Sequence, residues 1–217
     1  MSPSKENYLK SIFELQHSFQ KVTNKRLAEM MHVSAPSVTE MLLTLKKAGY
    51  LKYNPYTAIS LTSKGRTTAE ALVKKHRLWE VFLVDKLHYQ INEVDQIAGD
   101  LEHFTDQKLV NSLNEFLAYP QKCPHGGVIP DNGQGETDDD DLVLSLVAPQ
   151  TKVQIVRVID DREFLDYFTM SGLKINQIIT VLQHSQFDDS VLIQTSTGKE
   201  VSVSRKSADF IFVEPAK

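Results

Sequence analysis

Residues 34–51 read SAPSVTEMLLTLKKAGYL, and this stretch decides the fold that we predict for the first part of the chain. Ser34 can cap a helix with its hydroxyl, and Pro36 is tolerated in the first turn, where its missing N–H is not needed. Gly49 is predicted to end the helix, because glycine readily adopts the left-handed conformation found there. The apolar residues in between recur at helical spacing and predict one buried face. They are Val38, Met41, Leu42, Leu45 and Ala48.

A shorter helix is predicted just before this one. Thr23 or Asn24 can cap it, and residues 27–31 supply its apolar side chains. His32 and Val33 then form a very short turn, and two helices joined in this way are typical of a helix-turn-helix. A helical hairpin from a small bundle would show the same pattern.

The stretch after Gly49 predicts a β-hairpin. YLKY at residues 50–53 and AISLT at residues 58–62 alternate around the turn-rich NPYT at residues 54–57. A hairpin directly after a helix-turn-helix is the wing of a winged-helix domain. Its presence favours DNA binding over the bundle alternative.

Short polar side chains at the start of the second helix face away from its apolar stripe. At the beginning of a recognition helix, such side chains can approach base edges and phosphates closely. Lysines near the end of the helix can meet phosphates. The predicted contacts with double-stranded DNA are Ser34, Pro36, Ser37, Thr39, Glu40, Lys46 and Lys47.

The distribution of charge agrees with a DNA-binding head. Residues 1–77 carry 13 Lys or Arg and 5 Asp or Glu, a net charge of +8, whereas residues 78–217 carry a net charge of −12. A basic region on an acidic body is typical of a protein that binds a polyanion. Charge also fluctuates along chains without function, so the asymmetry by itself does not establish DNA binding.

Length and composition bound the class of protein. The 217 residues are enough for two compact domains or three small ones. No apolar run approaches the roughly 20 residues of a membrane helix, and the first residues lack an apolar signal core. A single cysteine excludes an internal disulfide and suits a reducing compartment. We therefore expect a cytoplasmic protein without a membrane partner.

The middle of the chain is predicted to be helical and carries residues that bind metals. A long helix is expected from Thr62 to about Leu87, with His76 and Glu80 four residues apart on one face. Further on lie Glu102, His103, Cys123 and His125. Imidazole, carboxylate and thiolate are ligands of divalent transition metals, although the spacing is not that of a zinc finger. Such side chains are often solvated surface, so spacing alone leaves both interpretations open.

The C-terminal part changes to a period of two. Residues 129–147 include IPDNGQGETDDDD and are predicted to be a linker. The acidic run at residues 138–141 could bind cations, but such runs are more often simply solvated. Short alternating segments such as KVQIVRVID, QIITVLQ and FIFVE then predict a small β-barrel over residues 148–217.

The whole pattern resembles the DtxR/MntR family of metal-dependent transcriptional repressors, and in particular its long, manganese-responsive branch. The motifs that carry the resemblance are KENYLKSIFEL, SAPSVTEMLLTLKKAGYL, LTSKGR, KKHRLWEVFLVDKL, DLEH and YPQKCPHGGVIP. The resemblance implies an α+β chain with three domains. These are a winged helix-turn-helix (1–63), a helical domain for dimerisation and metal binding (64–128) and, after the linker, an SH3-like (FeoA-type) barrel (148–217).

The resemblance implies a homodimer with two metal positions in each subunit. The first would use Glu80, Cys123, His125 and Asp160, the last from RVIDD in the first strand of the barrel. Cys123 is therefore expected to bind metal. A nucleophilic role lacks support, because no base or oxyanion element accompanies it.

The second implied position would join the first helix to the helical domain. His76, Glu102 and His103 match the pattern of the family. Residue 7 is Asn7, where the manganese branch has aspartate and the iron branch methionine, and residue 99 is Gly99, where glutamate or cysteine is found. The amide oxygen of Asn7, or the nearby Asp100, could complete the shell. We expect a weak or altered site.

The function implied is a non-enzymatic repressor of metal-uptake genes that binds operator DNA when it holds Mn²⁺ or Fe²⁺. Metal would tie the first helix to the dimer body and set two recognition helices about 34 Å apart, one turn of DNA. An iron-responsive regulator and a metal-insensitive winged-helix regulator are the alternatives. A metal-dependent hydrolase is a more distant one, since no recognised catalytic motif occurs.

Overall fold

The structure is a computed structural model that describes residues 2–17, 22–54, 59–132 and 142–216. The helices in these ranges are α1 (Pro3–Gln16), α2 (Asn24–Met30), α3 (Ala35–Lys47), α4 (Ser63–Leu87), α5 (Val94–Phe104), α6 (Gln107–Phe116), α7 (Arg162–Met170) and α8 (Arg205–Ala208). The strands are β1 (Leu51–Lys52), β2 (Ser60–Leu61), β3 (Leu142–Val143), β4 (Thr151–Val158), β5 (Ile178–His184), β6 (Val191–Thr195), β7 (Glu200–Val203) and β8 (Ile211–Pro215). The predicted α+β class is confirmed.

Helices α2 and α3 form the predicted helix-turn-helix. Thr23 caps α2 by accepting a hydrogen bond from the backbone N–H of Arg26, and Ser34 caps α3 by accepting one from Ser37. Gly49 follows α3 with a φ of +79°, in the left-handed region. The local chemistry of the sequence therefore sets both ends of the recognition helix.

Strands β1 and β2 form the base of the wing. They pair antiparallel, with Leu51 opposite Leu61 and Lys52 opposite Ser60. The turn predicted at the tip falls largely on residues 55–58, which lie outside the described residues.

The head (α1–α3, β1 and β2) packs around one hydrophobic core, which also takes in the first half of α4. Each buried leucine contributes about 1.5–3 kcal/mol to folding, so this core is the main source of stability in the head. Its most deeply buried members include Leu9, Ile12, Leu27, Val38, Leu42, Leu45 and Ala69.

Helix α4 connects the head to the helical domain (α4–α6). Thr62 caps it by accepting a hydrogen bond from the N–H of Gly65. Ala69 belongs to the core of the head, whereas Leu78 and Val81 pack in a second core with α6. A helix of 25 residues is about 37 Å long, so α4 is a continuous rod between the two regions.

The helical domain exposes large apolar side chains at the end of α5 and along α6. Phe104 at the end of α5 is 89% exposed, and Leu109 and Phe116 of α6 are 43% and 64% exposed. Contiguous exposed apolar surface commonly marks an interface with another protein.

The C-terminal domain (β3–β8, α7 and α8) is built on one six-stranded antiparallel sheet. The strand order is β3-β8-β4-β5-β6-β7, so β4 lies in the centre between β8 and β5. Helix α7 connects β4 to β5, and α8 connects β7 to β8. The core of this domain includes Leu144, Ile155, Leu165, Phe168, Val181, Ile193 and Ile211.

The sheet begins earlier than the period-two pattern indicated. Residues 142–147, which we assigned to the linker, contain β3, paired with β8, and a 3₁₀ helix at Leu144–Leu146. A strand of two residues is too short to produce a recognisable alternation. The acidic run at residues 138–141 lies outside the described residues.

Within the ranges that the structure describes, every helix is too short or too polar to cross a membrane.

Candidate metal centre

Helix α4 places His76 and Glu80 on the same face, one turn apart, as their spacing requires. Both side chains are buried, and His76 Nε2 lies 3.2 Å from Glu80 Oε1. A glutamate is almost never fully buried unless it is paired. The location of Glu80 therefore indicates a site and not a solvated face.

The loop after α6 brings Cys123 and His125 to this face. The N–H of Gly126 donates to the Cys123 carbonyl, and the N–H of Val158 in β4 donates to the His125 carbonyl. Gly126 has a φ of +87°, and a Cβ there would lie 1.9 Å from the Val156 carbonyl oxygen. The loop can therefore lie directly on β4 because this position has no side chain.

Strand β4 leads into Asp160. Its Oδ2 lies 3.3 Å from His76 Nε2, and its Oδ1 lies 3.9 Å from His125 Nε2. The ligand atoms of Glu80, Cys123 and His125 lie within 4.8 Å of one another, as do those of His76, Glu80 and Asp160. The four residues expected at the first metal position thus come together, and His76, which we assigned to the second position, joins them. These five residues are the Glu80 cluster.

Several polar atoms in the Glu80 cluster are buried without a hydrogen-bond partner. They are both carboxylate oxygens of Glu80, Nδ1 of His125 and Oδ1 of Asp160. Two of these atoms, Glu80 Oε1 and His125 Nδ1, nevertheless lie 3.0 Å apart as an ion pair. Leaving a buried polar atom unsatisfied costs about 1–3 kcal/mol, and more for a charged group. A cation at this place would satisfy Glu80 Oε2 and Asp160 Oδ1, which accept no hydrogen bond.

The two histidines of the Glu80 cluster hold protons strongly. Burial favours their neutral forms, but the negative charges of Glu80 and Asp160 outweigh it, and the pKa of His125 lies well above its ordinary value. The pKa of His76 is raised in the same way, against both burial and the nearby Lys10 ammonium.

The acids of the cluster divide into charged and protonated forms. Although burial opposes charge on Glu80, His125 and His76 hold the pKa of that carboxyl well below its usual range. Burial, aided by the charge of Glu80, raises the pKa of Asp160 to about 7. Burial also raises the pKa of the Cys123 thiol. The cluster thus carries protons that a bound metal would displace.

The Glu80 cluster fits a divalent transition metal. One thiolate, imidazoles and two carboxylates form a mixed set that is compatible with Mn, Fe, Co or Zn. The donors come from α4, from the loop after α6 and from the end of β4, so a metal held there would connect the helical domain to the C-terminal domain.

A second group of charged residues joins α1 to the helical domain. His76 Nδ1 lies 2.7 Å from the fully buried Glu102 Oε2. Lys10 Nζ of α1 donates to the same oxygen at 3.2 Å and lies 3.0 Å from His76 Nδ1. His103 Nδ1 lies 2.7 Å from Glu6 Oε2, also on α1. The residues Glu6, Lys10, Glu102 and His103 are called the α1 cluster.

Residues of the Glu80 cluster and of the α1 cluster line one cavity of about 700 Å³. Asn7, Gly99 and Asp100 border this cavity as well. A Cβ built on Gly99 would meet no atom within 4 Å, so the glycine leaves open space.

A second metal ion does not fit the α1 cluster. Asn7 and Gly99 bring no carboxylate, and the Lys10 ammonium, which can only donate, lies against both His76 and Glu102. The weak or altered second site stays a prediction, and the structure adds to it a cationic side chain within the cluster.

The sequence pattern did not identify three of these participants. Asp95 Oδ1 lies 3.4 Å from His76 Nε2, and Lys10 and Glu6 reach the helical domain from α1. Glu6 and Lys10 are four residues apart and share a face of α1, and this spacing was the available signal.

The predicted DNA contacts lie on the recognition helix as expected. Ser34, Pro36, Ser37, Glu40, Lys46 and Lys47 are exposed, and Thr39 is half-buried. The Thr39 hydroxyl accepts a hydrogen bond from Asn24 Nδ2 and donates to the Ala35 carbonyl. Thr39 therefore also holds α2 against α3.

A helix-turn-helix head, joined by a continuous helix to a buried set of metal ligands, defines a DNA-binding regulator of the metal-dependent class. Comparison with known families agrees. Residues 1–59 match the N-terminal DNA-binding domain of iron-dependent repressors, residues 62–131 match their metal-binding and dimerisation domain, and residues 142–215 match the FeoA domain. The chain belongs to the DtxR/MntR family of metal-dependent transcriptional repressors.

Individual relatives cover the full chain. The solved structure of the manganese regulator SloR is 36% identical, with a TM-score of 0.88 and complete coverage of both chains. The metal-dependent transcriptional regulator MtsR is 34% identical, with the same TM-score and coverage. The diphtheria toxin repressor of Corynebacterium glutamicum is 25% identical over 96% of this chain and 95% of its own.

Proposed function

We propose that the protein is a manganese-responsive repressor that binds operator DNA as a homodimer and controls metal-uptake genes. The observation that carries the proposal is the convergence of metal-ligand atoms in the Glu80 cluster, within 4.8 Å of one another in two overlapping groups, with carboxylate oxygens that accept no hydrogen bond. Glu80 lies in the second half of α4, a helix that begins in the DNA-binding head.

In this proposal Glu80, Cys123, His125 and Asp160 hold the metal, with His76 beside them. The metal would supply positive charge to a cluster in which Glu80 is buried and Asp160 is half-buried. It would also tie the loop after α6 to the end of β4. The position of the C-terminal domain on the helical domain then depends on metal.

Manganese is proposed because oxygen donors take part in the cluster and because the similar regulator SloR is described as a manganese regulator. Fe²⁺ is the alternative, since the family is described as iron-dependent repressors and the cluster has no donor that excludes iron.

The link from metal to DNA runs through α4 and α1. Helix α4 starts at the wing and carries His76 and Glu80, while α1 touches His76 and Glu102 through Lys10. A metal that orders these helices fixes the direction of the head. Since coupling is reciprocal, DNA should tighten metal binding as much as metal tightens DNA binding.

The dimer is proposed to form through the exposed apolar side chains of the helical domain. They include Phe104, Leu109 and Phe116, and the matching family domain is one for dimerisation. Two heads in a dimer would read half-sites one DNA turn apart, about 34 Å.

The test is a titration of DNA binding with metal. Operator sequences are first selected from random duplexes, and binding is then followed by fluorescence anisotropy with Mn²⁺, with Fe²⁺ under anaerobic conditions, and with a chelator. We expect Mn²⁺ to tighten binding by about tenfold or more, within the usual range of allosteric coupling. A Glu80→Gln variant, which keeps the shape of the side chain, should lose this response. Equal binding in metal and chelator would refute the proposal.

A further inference from the structure

Lys10 lies where the first helix meets the helical domain. Its side chain is only 14% exposed, and its ammonium contacts Glu102 from α5 and His76 from α4. A lysine is almost never buried unless it is paired. The partner that attracts the Lys10 ammonium is Glu102, because His76 holds a proton and carries a charge of the same sign.

A second ion pair flanks this contact. Glu6, one turn before Lys10 on α1, lies 2.7 Å from His103 of α5. Glu102 and His103 are neighbours in α5, so two adjacent residues of that helix receive two residues of α1. In one pair the acidic side chain, Glu6, comes from α1 and meets His103. In the other pair the basic side chain, Lys10, comes from α1 and meets Glu102.

The carboxylates at this place are already engaged. Glu102 accepts from Lys10 and lies against His76, and Glu6 lies against His103. Asn7 and Gly99 bring no further negative charge. A divalent ion entering here would have to displace the Lys10 ammonium from Glu102.

We propose that Lys10 acts as a resident cation that holds α1 against the helical domain without metal, so that each subunit responds to metal only through the Glu80 cluster. The proposal rests on the proposed function, in which metal controls DNA binding. It assigns to Lys10 a positioning role for the DNA-binding head.

A lysine side chain differs from a metal ion in that it cannot dissociate from the protein. An ammonium carried by the chain is always present at its site and is not removed by a chelator. The contact between α1 and α5 should therefore persist in metal-free protein. Metal should change the connection between the helical domain and the C-terminal domain, and through α4 the direction of the head, without making or breaking the contact between α1 and α5.

The first experiment counts metal. Protein equilibrated with Mn²⁺ is analysed by elemental analysis and by calorimetric titration. We expect one tightly bound Mn²⁺ per subunit in the natural protein and none in Glu80→Gln. Two tight ions per subunit in the natural protein would overturn the proposal, whatever the effect on DNA binding.

The second experiment removes the resident charge. Lys10→Met keeps the length of the side chain, Lys10→Arg keeps its charge, and Lys5→Met removes a charge from the same helix as a control. We expect Lys10→Met to keep one Mn²⁺ but to weaken DNA binding at saturating Mn²⁺ by about tenfold, since the position of the head is lost. Proteolytic cleavage after α1, in residues 17–23, should become faster in metal and in chelator alike. Lys10→Arg and Lys5→Met should resemble the natural protein.

The outcomes separate this proposal from the proposed function. If Lys10→Met binds a second Mn²⁺ and keeps full DNA affinity, Lys10 only occupies a metal position and the proposal is wrong. If Lys10→Met does not fold, the metal count in the natural protein still decides, together with its cleavage rates next to α1, which should be equal in metal and in chelator. If Mn²⁺ does not change DNA binding by the natural protein, the proposed function is wrong. The number of Mn²⁺ ions per subunit and the cleavage rates then still test the role proposed for Lys10.

Discussion

Arg157 of β4 donates from Nη2 to the backbone carbonyl of His17, the residue that ends α1, over 3.2 Å. Its guanidinium also lies 3.5 Å from the centroid of the Phe212 ring. Asp160 of the Glu80 cluster follows three residues later in the chain. The C-terminal domain thus supplies a residue to the candidate metal centre and also contacts the first helix of the head.

Replacing Arg157 by methionine should therefore weaken the coupling between metal and DNA. The side chain keeps much of its apolar contact but loses the hydrogen bond to His17. We expect DNA affinity at saturating Mn²⁺ to fall by about fivefold, a typical coupling factor, while Mn²⁺ affinity in the absence of DNA changes little.

Anisotropy and calorimetry measure the two affinities. Arg205→Met is the matched control, because Arg205 pairs with Asp209 on the surface of the same domain and such pairs contribute little. A DNA affinity that is unchanged in Arg157→Met would show that this contact does not transmit the signal.

The recognition helix should show two different kinds of contact. Lys46 is exposed, so Lys46→Ala should weaken binding to all duplexes alike and reduce the slope of log K against log salt by about 1. Ser37→Ala should instead reduce discrimination between operator and unrelated DNA. The N-terminal cap of α3 is kept in this variant, because the Ser34 hydroxyl accepts a hydrogen bond from the backbone N–H of residue 37.

Salt titrations on selected and scrambled duplexes measure both effects. Lys174→Ala, an exposed change in the C-terminal domain, is the control. Binding that does not depend on salt would exclude phosphate contacts by this face.

Cys123→Ser should loosen the C-terminal domain. Serine replaces a thiolate donor by a hydroxyl that binds metal weakly, so Mn²⁺ content should fall and proteolysis within residues 131–141 should become faster. Mass spectrometry of the fragments locates the cleavage.

The comparison in chelator is the control for Cys123→Ser, because the variant and the natural protein should then be cleaved at the same rate. A variant with full metal content and natural cleavage in Mn²⁺ would show that Cys123 is only a buried side chain.

The sequence predicted those features whose causes are local. Ser34 and Thr62 cap their helices through side chains three residues from their partners, and such patterns are visible in one dimension. The loop containing Cys123 and His125 was identified by a resemblance in its motif. Asp160 was placed by the same resemblance, and the structure brings it beside His125.

The missed features depend on distant contacts. Lys10 and Glu102 are 92 residues apart in the chain, and nothing near Lys10 indicates that its ammonium will be buried. His76 was assigned to one position, whereas its two nitrogens face different clusters, Nδ1 towards Glu102 and Nε2 towards Glu80. Only the packing of α1 and α5 on α4 shows this.

Metal affinity should decrease as the pH falls from 8 to 6. In the metal-free protein His125 has a pKa well above its ordinary value and Asp160 one of about 7, so both carry protons near neutral pH. Metal binding must release these protons, and at lower pH the protons compete more strongly with the metal for these side chains. The apparent affinity should fall by about tenfold per pH unit for each proton released.

Calorimetry in buffers of different ionisation enthalpy counts the protons directly. Asp160→Asn should release fewer protons at pH 7, since the amide does not titrate. A Mn²⁺ affinity that is constant over this range would mean that these groups do not bind the metal.

The double change Asn7→Asp with Gly99→Glu should create a second manganese position. A side chain at residue 99 has room, because a Cβ there meets no atom within 4 Å, and both residues border the cavity of the α1 cluster. Two added carboxylates supply the hard oxygen donors and the negative charge that manganese depends on. We expect two Mn²⁺ per subunit by elemental analysis and a lower Mn²⁺ concentration for half-maximal DNA binding. Gly99→Ala is the control, since it stabilises α5 by about 1 kcal/mol without adding a donor. If the natural protein already binds the second ion as tightly as the double variant, Asn7 and Gly99 do not weaken this position.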